Sequence, residues 1–232
     1  MNIFYSNNIN KSNKKIIILD QENSHLIKVL RKKTGDNVNI TDGKGFLYNC
    51  SIIESDKNKS ILEIEKSVKF KNESPKLKIA IALTKNRDRF EWFLEKATEI
   101  GIDEITPVIC DHSERKIIKN KRCKKILVSA MKQSLKFHSP IINEIISLKE
   151  FLRKDHKKNN KYIAHCKDDK KFNLKTENTD NSLILIGPEG DFSFNEIQIA
   201  KTKEFKPISL GSSRLRTETS GILATHTINL KY

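Results

Sequence analysis

Hydrophobic side chains follow one period before residue 72 and another after residue 76. The N-terminal stretch reads as strands: Ile16 to Leu19 is a β-branched run, Asn37 to Ile40 alternates, Phe46 to Ile53 follows the turn Asp42-Gly43-Lys44-Gly45, and Ile61 to Glu65 alternates again. Asp-Gly between two such runs marks a hairpin, because the turns that match strand twist need positive φ. Ser24 to Lys32 places Leu26, Val29 and Leu30 at helical spacing. The pattern predicts a small β-barrel over residues 1–72.

The polar stretch Lys69 to Lys76 has linker composition, and beyond it strands alternate with helices. Strands are expected at Leu77 to Leu83, Ile105 to Ile109, Tyr162 to His165, Leu183 to Ile186 and Pro207 to Leu210. Helices are expected at Arg87 to Ile100, where Gly101 supplies the stop, at Lys121 to Lys136, Leu148 to Lys154, Ser193 to Lys203 and about Thr219 to Leu230. Such alternation predicts an α/β domain over residues 73–232, a mostly parallel sheet with helices on both faces.

The chain carries 44 basic and 29 acidic residues, a net charge of +15, with 37% hydrophobic residues, enough for a core. Its longest apolar runs, Ile16 to Leu19 and Leu183 to Ile186, fall far short of the roughly 20 residues that cross a bilayer. With no signal-peptide pattern at Met1 to Ser6, a soluble, cytoplasmic protein is expected, with no membrane partner. The excess charge is uneven: residues 111–175 hold 19 basic and 7 acidic groups, and Arg115 to Lys136 holds nine basic residues and no acidic one. An uninterrupted basic stretch points to phosphate contacts and a nucleic-acid partner.

Cys50, Cys110, Cys123 and Cys166 show no metal-ligand spacing, so no metal is expected and all four read as reduced thiols with packing roles.

Only eight glycines occur, and four of them fall in the C-terminal quarter. Gly187-Pro188-Glu189-Gly190 follows the apolar strand Leu183 to Ile186 and precedes a helix opened by the capping box Ser193 and Glu196. In open α/β sheets ligands bind beyond the carboxyl ends of strands, and glycine there lets them approach the backbone. A second such turn, Leu210-Gly211-Ser212-Ser213-Arg214-Leu215-Arg216, precedes a helix read as capped by Thr217 or Thr219. Neither a Walker loop nor Gly-x-Gly-x-x-Gly is present, which argues against a P-loop NTPase and a Rossmann dinucleotide enzyme.

Leu185 to Ser193, followed by Leu210-Gly211 and Leu215-Arg216-Thr217-Glu218-Thr219, resembles the C-terminal signature of the ribosomal RNA small subunit methyltransferase E family. The likeness extends along the chain: His25 with Val29-Leu30-Arg31 and Gly35, Lys96-Ala97-Thr98-Glu99, Ser113-Glu114-Arg115 and Gln133-Ser134 match further motifs. The chain departs from the family's usual pattern in lacking arginine before Arg31, in carrying Lys132 and Lys136 around Gln133-Ser134, and in Gly190-Asp191 where Gly-Gly is common; Gly190 is expected to preserve that turn.

The resemblance implies a PUA-like β-barrel over residues 1–72 and a SPOUT α/β domain with a deep trefoil knot over residues 73–232. It also implies a homodimer that transfers methyl from S-adenosyl-L-methionine to N3 of a uridine in 16S rRNA, as free RNA or in the small ribosomal subunit. The cofactor positions carried over are Leu185, Ile186, Gly187, Pro188, Glu189, Gly190, Leu210, Gly211, Ser212, Leu215, Arg216 and Thr217, with Arg216 and Glu218 as catalytic candidates. Arg216 offers a permanent charge for the developing anion, and Glu218 or Glu189 a proton acceptor. RNA contacts are expected from Arg31, Lys32, Lys33, Arg87, Arg115, Lys121, Arg122, Lys124, Lys125 and Lys136. The alternatives are a SPOUT enzyme acting on another RNA position and a non-catalytic RNA-binding or ribosome-assembly protein.

Overall fold

The computed structural model describes residues 2–10, 12, 14–72 and 76–230. Within the expected linker, Glu73, Ser74 and Pro75 lie outside the described residues, at the edge of the boundary placed at 72/73. The chain divides into two units, Met1–Glu73 with Val128–Ser139, and Ser74–Leu127 with Pro140–Tyr232.

The first unit is built on β1 (Ile3–Tyr5), β2 (Ile9–Asn10), β3 (Lys15–Leu19), α1 (Asp20–Ser24), β4 (Asn37–Thr41), β5 (Phe46–Ser55) and β6 (Lys59–Lys69). Its sheet runs β1-β4-β5-β6-β3-β2, antiparallel except where β1 pairs with β4. Strand alternation is plain in β3, where Ile16 and Ile18 are buried while Ile17 and Leu19 are exposed. Ile16 and Ile18 join Phe4, Leu26, Ile40 and Tyr48 in one core. The β4–β5 hairpin turns where expected. Asp42 Oδ1 accepts the N–H of Lys44 at 2.8 Å and of Phe46 at 3.2 Å, and Gly43 and Gly45 supply φ of 67° and 95°.

The helical turn expected at Ser24 to Lys32 begins earlier, at Asp20, and widens into a π-helical turn over His25–Val29, closed by the Leu30 N–H donating to the His25 carbonyl. The wider turn rotates Val29 outward to 66% exposure, so Leu26 reaches the core without it. The short strands β1 and β2 escape a periodicity test.

The second unit contains β7 (Leu77–Ala82), α2 (Arg87–Ile100), β8 (Glu104–Ile109), α3 (Asn120–Gln133, whose end from Val128 counts with the first unit), β9 (Ile141–Ile142), β10 (Ile146–Ser147) and α4 (Leu148–Arg153). It continues with β11 (Asn160–Ala164), β12 (Phe172–Asn173), β13 (Ser182–Ile186), α5 (Phe194–Thr202), β14 (Lys206–Ser209) and α6 (Thr217–Asn229). Among the described residues every strand pairing in its sheet is parallel, in the order β10-β8-β7-β13-β11-β14-β12, with β9 beside β8.

Two cores lie on opposite faces, as the period of two requires. Ile79, Ile81, Ile184 and Ile186 pack with Phe90 and Phe93 of α2 and Ala224 of α6. Ala80, Ala82, Leu183 and Leu185 pack with Phe151 of α4 and Ile197 of α5. α2 begins on Asn86, whose side chain accepts the Asp88 N–H, and ends on Gly101 at φ 133°. α3 stops short of the expected Lys136 because Leu135 turns left-handed at φ 56°.

Candidate active site

β13, β11 and β14 lie side by side and parallel, so Ile186, Ala164 and Ser209 end on one edge of the sheet. A cavity of about 630 Å³ opens there, in the range of small-molecule sites. Ile186, Gly187, Pro188, Glu189, Leu210, Gly211, Ser212, Leu215, Arg216 and Thr217 line it, so both glycine turns contribute walls. Leu185 and Gly190 do not: strand alternation sends Leu185 into the opposite core, and Gly190 faces His112.

The glycines are required by close approach. A Cβ on Gly187 would sit 3.0 Å from the Phe192 ring, and one on Gly190 would sit 3.0 Å from His112 Cβ. His112 Nδ1–H donates to the carbonyls of Gly190 and Asp191, at 3.1 and 2.9 Å. The turn that Gly190 is expected to preserve is formed, with the Asp191 N–H donating to the Pro188 carbonyl at 2.9 Å, and its left-handed residue is Asp191, at φ 65°. Aspartate tolerates that region. Its carboxylate accepts the N–H of Cys166 at 2.9 Å and of Phe192 at 2.8 Å, tying the ends of β11 and β13 together.

The expected cap of α6 is also corrected. Arg216 is the N-cap residue and no side chain caps the helix. The Thr217 hydroxyl instead donates to the Gly187 carbonyl at 2.9 Å. Arg216 is exposed on the cavity wall and makes no ion pair among the described residues. Glu218 does not line the cavity. It is 5% exposed, with Oε1 3.8 Å from Arg89 Nε and Oε2 without a hydrogen-bond partner. Glu189, on the wall, accepts the Lys85 N–H at 3.0 Å.

His165, Cys166, Lys171 and Asp191 also form part of the wall and were not among the expected site residues. His165, Cys166 and Lys171 follow the end of β11, which carries no glycine, whereas Asp191 directly follows Gly190 in the turn after β13. Burial, then Lys171, pushes the His165 imidazole below its ordinary pKa; Nε2 lies 3.5 Å from Asp169, which Lys201 pairs at 2.5 Å. Cys50, Cys110 and Cys123 are buried, but Cys166 is exposed, so the packing role expected of all four thiols holds for three.

The expected RNA-binding cations are not equivalent. Arg122 donates through Nε and Nη2 to the two oxygens of Glu91, at 2.5 and 2.7 Å, and Arg87 Nε lies 3.3 Å from the same carboxylate. That bond from Arg122, with Arg87 and Arg115 nearby, holds the Glu91 carboxyl below the usual range. Half-buried Arg115 donates through Nε to the Ile117 carbonyl at 3.1 Å. Lys121, Lys124 and Lys125 are exposed without ion pairs among the described residues. In the first unit Arg31 and Lys33 are exposed, Lys32 and Lys136 half-buried, and Lys132 pairs with Glu22. Among the described residues no group of three or more His, Cys, Asp or Glu could hold a metal ion, and no helix is long and apolar enough to cross a membrane.

Comparison with known proteins agrees with this architecture. Residues 72–229 match the RNA methyltransferase domain family, and residues 11–65 match the RNA methyltransferase PUA domain family. The chain is 31% identical to ribosomal RNA small subunit methyltransferase E of Mesomycoplasma hyopneumoniae, covering 92% of this chain and 94% of that one. A probable rRNA-methyltransferase from Porphyromonas gingivalis superposes with a TM-score of 0.92 at 36% identity over 100% of both chains. The ribosomal RNA small subunit methyltransferase E of Neisseria gonorrhoeae, solved bound to S-adenosyl methionine, superposes at 0.85 with 28% identity over 100% of this chain and 98% of that one. With an N-terminal PUA-like domain and a C-terminal parallel-sheet methyltransferase domain, the chain belongs to the ribosomal RNA small subunit methyltransferase E family.

Proposed function

We propose that this protein transfers the methyl group of S-adenosyl-L-methionine to N3 of a uridine in the 16S rRNA of the small ribosomal subunit. The observation that carries the reading is the cavity where the two glycine loops meet at the ends of β11, β13 and β14. Its residues suit the cofactor. Ile186, Ile208, Leu210 and Leu215 offer apolar surface for a base, and the Gly187 and Gly211 loops bring backbone to the wall. The space beside Gly211 is open, with no atom within 4 Å of a Cβ built there.

When bound, the cofactor supplies an already activated methyl group, so the protein's work is to orient the base and stabilise charge. The N3 proton must leave as the bond forms, and negative charge then spreads over the flanking carbonyls. Arg216, on the cavity wall with no ion pair among the described residues, is the residue we assign to that charge. Of the two carboxylates on the wall, Asp191 is engaged by the N–H groups of Cys166 and Phe192, and Glu189 is the acceptor we assign to the proton. Glu218, off the wall against Arg89, enters as a positioning residue for the start of α6.

In this reading residues 1–72, with Arg31 to Lys33, and the exposed lysines of α3 hold RNA, and residues 73–232 carry transfer. The SPOUT knot, a homodimer and a cytoplasmic site of action belong to the same proposal, supported by family membership. A non-catalytic RNA-binding role leaves the paired glycine loops without a use. The test is transfer of labelled methyl to undermethylated small subunits by wild-type protein and by Arg216→Ala. Wild type transfers label, and the variant binds S-adenosylhomocysteine normally but transfers little. No transfer by wild type overturns the reading, and full activity of the variant removes Arg216.

A further inference from the structure

The first unit carries a cluster of rings at the open ends of β5 and β6 that the transfer site does not use. Phe70, just past β6, stacks on Phe137 with centroids 4.3 Å apart and planes 29° apart, yet stays 39% exposed. The backbone fixes this pair through a shared glycine: the Gly45 N–H donates to the Phe137 carbonyl at 2.8 Å, and the Phe70 N–H donates to the Gly45 carbonyl at 2.7 Å. His138 packs so closely on Gly45 that a Cβ there would run into its ring. On the other side of the turn, Phe46 stacks with Tyr48 at 5.8 Å, and Lys69 Nζ lies 5.6 Å from the Phe46 centroid.

Most of the charge around these rings is positive. Lys44, Lys69 and Lys71 are exposed, and Lys66 to Asn72 and Lys132 to Ser139 contain no acidic residue. The carboxylate within the turn, Asp42, is occupied by the N–H groups of Lys44 and Phe46 and the Tyr48 hydroxyl. An exposed ring backed by a second ring, within reach of lysines, is what an unstacked base and its phosphates require. A paired helix cannot use the ring, because its bases are already stacked.

We infer that Phe70, on its Phe137 backing and flanked by Lys44, Lys69 and Lys71, is a stacking platform for an unpaired RNA nucleotide. It deepens the RNA-binding part of the proposed function by naming a site for single-stranded RNA, and it does not depend on methyl transfer.

The test is equilibrium binding of the full-length protein to single-stranded oligouridine and to a fully paired RNA duplex of equal length. Phe70→Ala is expected to weaken single-strand binding about tenfold, in keeping with removal of one base stack, and to leave duplex binding unchanged. Phe70→Trp should restore single-strand binding, which shows that a ring and not the fold is being read. Replacing Lys69 and Lys71 with Ala should flatten the salt dependence by about 0.7 for each phosphate no longer neutralised, whereas Phe70→Ala should not. Single-strand affinity that is the same in wild type and Phe70→Ala overturns the platform, as does an equal loss on duplex. Unchanged S-adenosylhomocysteine binding in both Phe70 variants separates this result from any failure of the transfer site.

Discussion

The hydroxyl of Thr217 donates to the carbonyl of Gly187 at 2.9 Å, joining the loop after β14 to the loop after β13. The two walls of the cavity are therefore fixed to each other by a buried bond, and Arg216 is held beside it. Thr217→Val keeps the shape and leaves a carbonyl unpaired, which costs about 1–3 kcal/mol. The expected outcome is a folded protein with lower S-adenosylhomocysteine affinity by calorimetry and a lower thermal midpoint.

Gly221 in α6 faces the Phe93 ring of α2, and a Cβ there would stand 2.5 Å from it. Gly221→Ala gains helix propensity and loses more through overpacking, roughly 1–3 kcal/mol. Urea denaturation should show the loss, and combining it with Phe93→Leu should recover part of it.

Cys166 is exposed on the cavity wall, while burial pushes the Cys50 thiol up to about 12 and raises those of Cys110 and Cys123. A soluble alkylating reagent should modify Cys166 first. Saturating S-adenosylhomocysteine should slow that reaction several-fold, as peptide mass spectrometry can follow.

Glu91 contributes a pH-dependent part of the stability. Its folded pKa is held below the unfolded value, first by the bond from Arg122 and then by Arg87 and Arg115. The contribution is therefore present above about pH 4, the unfolded glutamate value, and is lost as pH falls through the lower folded value. Denaturation at pH 7 and at pH 3 should show a larger drop in wild type than in Glu91→Gln.

The architecture was legible because the strands of the second unit are apolar on both faces and its helices carry strong stop signals, such as Gly101 after Ile100. Val29 misled the helical reading because a π turn changes the residue count, which a fixed period cannot register. The site was legible in part. Glycines mark two of its three strand ends, whereas β11 is followed by His165 and Cys166, residue types with ordinary packing uses. Arg122 and Lys121 look alike in a basic run, and only the fold brings Glu91 onto one of them.

Methylation at N3 of one uridine is tested most directly by nuclease digestion and mass spectrometry of small-subunit rRNA treated with the purified protein and labelled S-adenosyl-L-methionine. The predicted result is labelled N3-methyluridine at a single 16S site, and label on any other base or on ribose would contradict it.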